Sequence, residues 1–140
     1  MHEVEVQIRP LLAYHYDEVQ KLKQVFDLKP DWDKYYKLDA AGLVISLLAM
    51  EDEICIGYAV NFIVPHIHYA DQTMSANDVI FVHKAHRSGT AGGRLMAAMR
   101  KASKQLNCDV MQYHAKPGTE LDTVLAKRLP VHEHIYLDPL

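Results

Sequence analysis

The way strand-like and helix-like segments alternate along this chain predicts an α/β fold, in which one mixed sheet is packed by helices. Three observations carry that reading. Stretches with an apolar period of two and stretches with a period between three and four follow one another without separating into blocks. The 140 residues are the size of one domain, and a 49% hydrophobic content suffices to bury roughly 70% of the surface the unfolded chain exposes. A glycine-rich turn, Arg87-Ser88-Gly89-Thr90-Ala91-Gly92-Gly93, joins an apolar strand-like run to an amphipathic helix. Because no internal repeat, low-complexity tract or linker interrupts the chain, a single domain is expected over residues 1–140.

The elements follow in order. Val4-Glu5-Val6-Gln7-Ile8 alternates apolar and polar side chains, the pattern of a half-buried strand, and Pro10 would end it. Over residues 11–26 the apolar positions Leu11, Leu12, Val19, Leu22, Val25 and Phe26 fall mostly three and four apart, which predicts an amphipathic helix. Pro30 and the turn Asp31-Trp32-Asp33 lead into a second short helix over residues 34–40, placed as a lid beside a cleft, with Gly42 positioned to end it. Residues 43–50 and 54–64 are β-rich, and the short link Glu51-Asp52-Glu53 between them predicts an antiparallel hairpin. Residues 65–77 read as a polar loop, and Asp78-Val79-Ile80-Phe81-Val82 as a fourth, central strand buried on both faces.

Beyond the glycine-rich turn, Leu95, Met96, Met99, Ala102, Ser103 and Leu106 trace one face of a helix whose other face carries Arg94, Arg100, Lys101 and Lys104; Asn107 would end it. Residues 108–115 are strand-like, 119–129 helical and 131–137 a last strand.

Composition excludes several functions. Fifteen Lys and Arg against eighteen Asp and Glu give a net charge of -3, which offers no basic field for nucleic acid. No apolar run approaches the roughly 20 residues of a membrane span. Cys55 and Cys108 lie in apolar strand-like runs, and Met1 opens onto a charged segment without an apolar signal region, so a reduced, cytoplasmic setting is expected. Exposed sheet edges leave a homodimer open.

A glycine-rich turn between a buried strand and a helix exposes backbone N–H groups at the positive end of the helix dipole, which suits a pyrophosphate. The spacing discriminates among nucleotide loops. The Gly-Lys-Ser/Thr ending of a Walker loop is absent, and a dinucleotide fingerprint belongs near the first strand, whereas this turn follows the fourth. Val82, Arg87, Ala91, Gly92 and Leu95 fit the frame of the GNAT acetyltransferases, with Thr90 standing where the first motif glycine usually falls. The chain resembles the short single-domain members of that superfamily over most of its length.

The resemblance implies a mostly antiparallel sheet with a splayed parallel pair. It also implies acetyl-CoA as co-substrate, its pyrophosphate on the backbone of Arg87, Ser88, Gly89, Thr90, Ala91, Gly92 and Gly93, and its pantetheine arm along Phe81, Val82 and His83. Arg87 or Arg94 would meet phosphate.

Acetyl transfer to an amine needs a group that removes a proton from the nucleophile and, in many enzymes, an acid for the leaving thiolate. Asp78, entering the fourth strand, is the preferred base, ahead of Glu51 and Glu53. In much of the family a tyrosine in the helix before the last strand is the acid; alignment through Leu129-Pro130-Val131 puts Ala126 in its place. Tyr136 is the substitute acid, Tyr113 is another candidate, and departure of the thiolate without enzymatic protonation is a third course.

Nine histidines include the pairs His66-Ile67-His68 and His132-Glu133-His134, but no cysteine lies at ligand spacing from either, so no metal is expected. His66, His68 and Tyr69 instead suit the acceptor pocket, His83 the neighbourhood of the thioester, and one or two of Tyr14, Tyr16, Trp32, Tyr35 and Tyr36 the cleft wall. The leading reading is an N-acetyltransferase that moves the acetyl group directly to an amine of a small molecule or protein. The alternative is a protein of the same fold that has lost catalysis and acts by binding a partner.

Overall fold

The computed structural model describes residues 1–140. Its elements run α1 (His2–Val19), α2 (Trp32–Ala40), β1 (Val44–Glu51), β2 (Ile54–Pro65), β3 (Thr73–Val82), α3 (Ala91–Gln105), β4 (Val110–Gln112) and α4 (Glu120–Ala126). They form a 4-stranded sheet in the order β1-β2-β3-β4, antiparallel except for the parallel pair β3-β4. The expected α/β architecture with a splayed parallel pair is present. β4 meets β3 only at Met74, Ser75 and Ala76, so the outer edge of β3 from Asn77 onward has no strand beside it.

One expected strand is a helix. Val4-Glu5-Val6-Gln7-Ile8 lies inside α1, and Pro10 stays within that helix instead of ending it. Both periods fit the segment, and burial decides between them: Ile8 and Leu11 are 4% and 6% exposed, whereas Val6, which a strand would turn inward with Ile8, is 55% exposed. Packing of the Val4, Ile8, Leu11 face on the sheet outweighs the backbone hydrogen bond that Pro10 cannot donate. α1 then stops at Val19, short of the helix expected to residue 26.

β3 begins at Thr73, five residues before the expected strand. The last strand expected over residues 131–137 does not form: residues 130–140 hold no helix or strand, and Val131, Ile135, Tyr136 and Leu137 are exposed. Strand propensity is realised only against a partner edge, and β4 pairs over three residues.

The sheet separates two apolar layers. Ile8 and Leu11 of α1 pack with Val44, Cys55, Tyr58, Val60 and Phe81 on one face, where Trp32 and Tyr35 of α2 join them. On the other face Leu95 and Met99 of α3 pack on Ile45, Ala59 and Val82. Burying each such side chain is worth about 1.5–3 kcal/mol. The hairpin between β1 and β2 turns at Asp52 and Glu53, both at positive φ (47° and 67°), the geometry that matches strand twist. As expected, positive φ ends the helices at Gly42 (68°) and Asn107 (57°).

The register of β2 against β3 shifts in mid-strand: Val60 faces Val79 and Asn61 faces Asn77, leaving Asp78 without an opposite residue. This is a β-bulge, which turns two successive side chains, Asp78 and Val79, to the same face. On the opposite face the bulge adjoins a buried polar chain. Asn77 donates to Asn61 (3.3 Å), Asn61 donates to Ser75 (2.9 Å), and Ser75 meets Ser103 of α3 (2.7 Å). All four residues are 3% exposed or less.

Candidate active site

The site has two parts, a cradle of backbone amides at one end of β3 and a cleft at its bulge. The cradle comes from a single 3₁₀ turn over Lys84–His86 and the start of α3 after its N-cap, Thr90. None of the backbone N–H groups of Ser88, Gly89, Thr90, Ala91, Gly92 and Gly93 donates a hydrogen bond within the chain; the next amide, Arg94, bonds the Thr90 carbonyl at 2.9 Å. The Thr90 hydroxyl makes no capping bond either. The free donors therefore sit together at the positive end of a 15-residue helix, the arrangement that binds phosphate.

The glycines there are not required by the fold. None of Gly89, Gly92 and Gly93 has a positive φ, and a Cβ would come no nearer than 4.0 Å at Gly89 and 3.9 Å at Gly92, and would meet nothing within 4 Å at Gly93. Two of them also weaken the first turn of α3, by about 1 kcal/mol each relative to alanine. What they do is keep the outer face of the backbone bare. Thr90, at φ -101°, occupies a conformation open to any residue, so its place in the glycine frame costs no strain.

Arg87 does not face the cradle. Its Nε donates to the Val82 carbonyl (2.8 Å), Nη1 and Nη2 grip Glu18 of α1 (2.5 and 2.7 Å), and Nη1 reaches Glu120 of α4 (3.5 Å). The bidentate pair raises the Arg87 pKa and holds the Glu18 carboxyl below its usual range. Of the two guanidinium groups expected to meet phosphate, that of Arg87 here ties β3 to α1 and α4. Arg94, exposed and without an ion pair, is the guanidinium left beside the cradle.

The cleft holds about 240 Å³ between the sheet and the first two helices. Its floor is the cross-strand row Ser46, Val60 and Val79, with Tyr58 and Asp78 alongside; Ile8, Leu12 and His15 of α1 and Trp32 and Tyr35 of α2 wall it. The bulge delivers Asp78 here, and the Tyr35 hydroxyl donates to its carboxylate at 2.9 Å. Burial, with the Asp78 charge adding to it, pushes the Tyr35 phenol well above its ordinary range, so it stays protonated as a donor. The Tyr58 phenol is raised likewise by burial. Ser46 Oγ is buried and has no hydrogen-bond partner.

At the end nearer the cradle, His15 Nδ1 lies 2.7 Å from the Tyr58 hydroxyl and its ring stacks on Phe81 at 4.7 Å. Burial first, then the Lys116 charge, brings the His15 pKa down from 6.5 to about 4, so the imidazole is neutral at pH 7. The Arg87 guanidinium lies 5.6 Å from the centre of the Phe81 ring. From Asp78 to Val82 the strand covers about 13 Å at about 3.3 Å per residue.

Of the residues singled out from the sequence, Asp78, Trp32 and Tyr35 line the cleft; His15, Tyr58 and Ser46, which the sequence did not single out, line it as well. Tyr136 is 88% exposed in the segment without regular structure and makes no hydrogen bond. His66, His68 and Tyr69 sit between β2 and β3, outside the cleft lining, where the His66 ring packs on Tyr69 at 4.5 Å. His83 caps the 3₁₀ turn, accepting from the Ala85 amide (3.3 Å), and its ring meets Tyr14 edge-on. Tyr113 is half-buried beyond β4, and Ala126 ends α4.

No family model and no curated protein sequence matches the chain. Solved structures do match. A ribosomal-protein-alanine N-acetyltransferase from Brucella melitensis biovar Abortus 2308 aligns with a TM-score of 0.71 at 15% identity, covering 99% of this chain and 94% of its own. The aminoglycoside acetyltransferase AAC(6')-Iy, in complex with the bisubstrate analogue CoA-S-monomethyl-acetylneamine, aligns at 0.66 with 21% identity over 84% of this chain and 85% of its own. A transcriptional regulator from Bacillus halodurans C-125 aligns at 0.75 with 15% identity, over 96% and 94%. The sheet order, the splayed β3-β4 pair and the turn leading into α3 thus place this chain in the GNAT acetyltransferase fold.

Proposed function

We propose that the protein is an N-acyltransferase that uses acetyl-CoA and transfers the acetyl group directly to an amine. The observation that carries this reading is the run of free backbone amides from Ser88 to Gly93, kept bare by glycines that the fold does not need. The pyrophosphate of acetyl-CoA binds there, with Arg94 as its cationic neighbour, and the pantetheine arm lies along the unpaired edge of β3 past Phe81.

The acceptor amine enters the cleft. Asp78, oriented by Tyr35, binds it as an ammonium and takes its proton. The free amine then attacks the thioester carbonyl, the C–N bond forms, the nitrogen gives up its second proton to solvent, the C–S bond breaks, and CoA leaves as a thiolate. With Ala126 at the end of α4 and Tyr136 outside the cleft, the thiolate is protonated from solvent.

The test is a thermal shift with acetyl-CoA followed by thiol release with a panel of amines. Wild-type protein is expected to shift and to release thiol, and Gly92→Trp to keep its fold and lose the shift. Absence of a shift at saturating acetyl-CoA overturns the proposal. A shift without thiol release on any amine supports the second reading, a binding protein on this scaffold, which Ala126 favours.

A further inference from the structure

The lining of the cleft narrows the acceptor, on the assumption that the acyltransferase reading holds. At about 240 Å³ the cleft is smaller than the roughly 300–1,000 Å³ usual for drug-sized ligands. Nine of its 13 lining residues are hydrophobic, and Asp78 is the lone carboxylate among them. No second carboxylate lines it, and at the rim the Arg9 guanidinium, 5.6 Å from the centre of the Trp32 ring, is already paired with Glu5. His15, neutral at pH 7, adds no charge. The floor offers one unclaimed hydrogen-bonding group, Ser46 Oγ.

A polycation placed here would satisfy one ammonium on Asp78. Its remaining charges would be desolvated against Ile8, Leu12 and Val60 with no carboxylate in the cleft to pair them. A singly charged amine with an apolar or aromatic body avoids that cost. It sets its ammonium on Asp78 and its body against Trp32 and Tyr35, where an aromatic face also favours the cation. We infer that the acceptor is a compact primary monoamine with a largely apolar body and at most one neutral polar group, which Ser46 receives. Polyamines and aminoglycosides are excluded, in contrast to the aminoglycoside-derived ligand in the AAC(6')-Iy complex.

The experiment is calorimetric titration of the whole protein, with and without saturating CoA, using phenethylamine, n-hexylamine, spermine and kanamycin as probes. Phenethylamine and hexylamine are expected to bind at least tenfold more tightly than spermine or kanamycin. Asp78→Asn is expected to weaken phenethylamine at least tenfold, and Trp32→Ala threefold or more. Spermine or kanamycin binding as tightly as the monoamines overturns the inference, as does no binding of either monoamine or an Asp78→Asn variant with unchanged affinity. Because the amine ranking is also read without CoA, it stands or falls separately from acetyl-CoA binding, whose failure would overturn the acyltransferase reading. Where both hold, thiol release from acetyl-CoA must follow the same order of amines.

Discussion

Protonation of His15 should make this protein lose stability in an acidic window that no carboxylate explains. The ring is half-buried against Phe81 and Tyr58, and its pKa falls from 6.5 to about 4. Above pH 6.5 the group is neutral folded and unfolded, and contributes no pH dependence. Between 6.5 and 4 the unfolded chain takes up a proton that the folded chain refuses, so stability falls as pH falls, and the loss levels off below 4. With these two values the loss is about 2 kcal/mol at pH 5 and approaches about 3 kcal/mol at the plateau, at about 1.4 kcal/mol per pKa unit. Glu5 and Glu18, whose carboxyls are held below 4.5 by Tyr36 and Arg87, stabilise the fold above that pH and lose their contribution beneath it. The interval from 6.5 to 4.5 therefore isolates His15.

Urea denaturation at pH 7.5, 6, 5 and 4.5 measures this, with His15→Gln as the control that keeps a hydrogen-bonding side chain and removes the titration. Wild type should lose about 2 kcal/mol more than His15→Gln between pH 7.5 and 5. Parallel curves, agreeing within about 0.5 kcal/mol at constant m, would refute the argument and mean that water reaches the ring.

Other outcomes follow from single contacts. Gly57→Ala would put a Cβ 2.6 Å from the Phe81 carbonyl and 3.1 Å from Val82 Cα, both backbone atoms, and should cost about 1–3 kcal/mol by denaturation. Gly92→Ala meets nothing nearer than 3.9 Å and lies in the first turn of α3, so it should raise stability by about 0.5–1 kcal/mol while weakening acetyl-CoA in a direct titration. Pro10→Ala restores the missing amide inside α1 and should stabilise the fold by at least about 1 kcal/mol, read as a higher urea midpoint. Arg87→Met strands Glu18 and Glu120 and should speed amide hydrogen exchange in α4, which Arg87 joins to α1.

Much of the fold was legible because its signals are local. The end of α2, the β1-β2 hairpin, the apolar half of β3 and the buried stripe Leu95, Met99, Ser103 all follow from spacing and turn residues within a few positions, although α2 begins at Trp32, two residues before the expected start. Residues 4–8 were not legible, since Val4, Val6 and Ile8 satisfy period two as well as Val4, Ile8 and Leu11 satisfy the helix, and packing against β1 and β2 chose between them.

The same division runs through the site. Asp78 and the glycine turn announce themselves by residue type beside a strand. His15 is made neutral by burial beside Tyr58, 43 positions away, and by the distant Lys116 charge, and Arg87 is held by Glu18, 69 positions away. Neither pairing leaves a trace in a window of ten residues.

The bulge at Asp78 has a consequence for how this strand tolerates change in length. A strand alternates faces at every residue, so the inserted position acts as a phase shifter: upstream of it Ser75 and Asn77 point to α3, and downstream of it Ile80 and Val82 do. Deleting Asp78 would set Asn77 directly before Val79 in regular alternation, so both halves of the strand would keep their faces and partners and only the carboxylate over the cleft would be lost. Replacing Asp78 by another side chain changes only what the cleft can hold. The position is therefore an insertion that the sheet's register does not depend on, and what it adds is one side chain over the cleft.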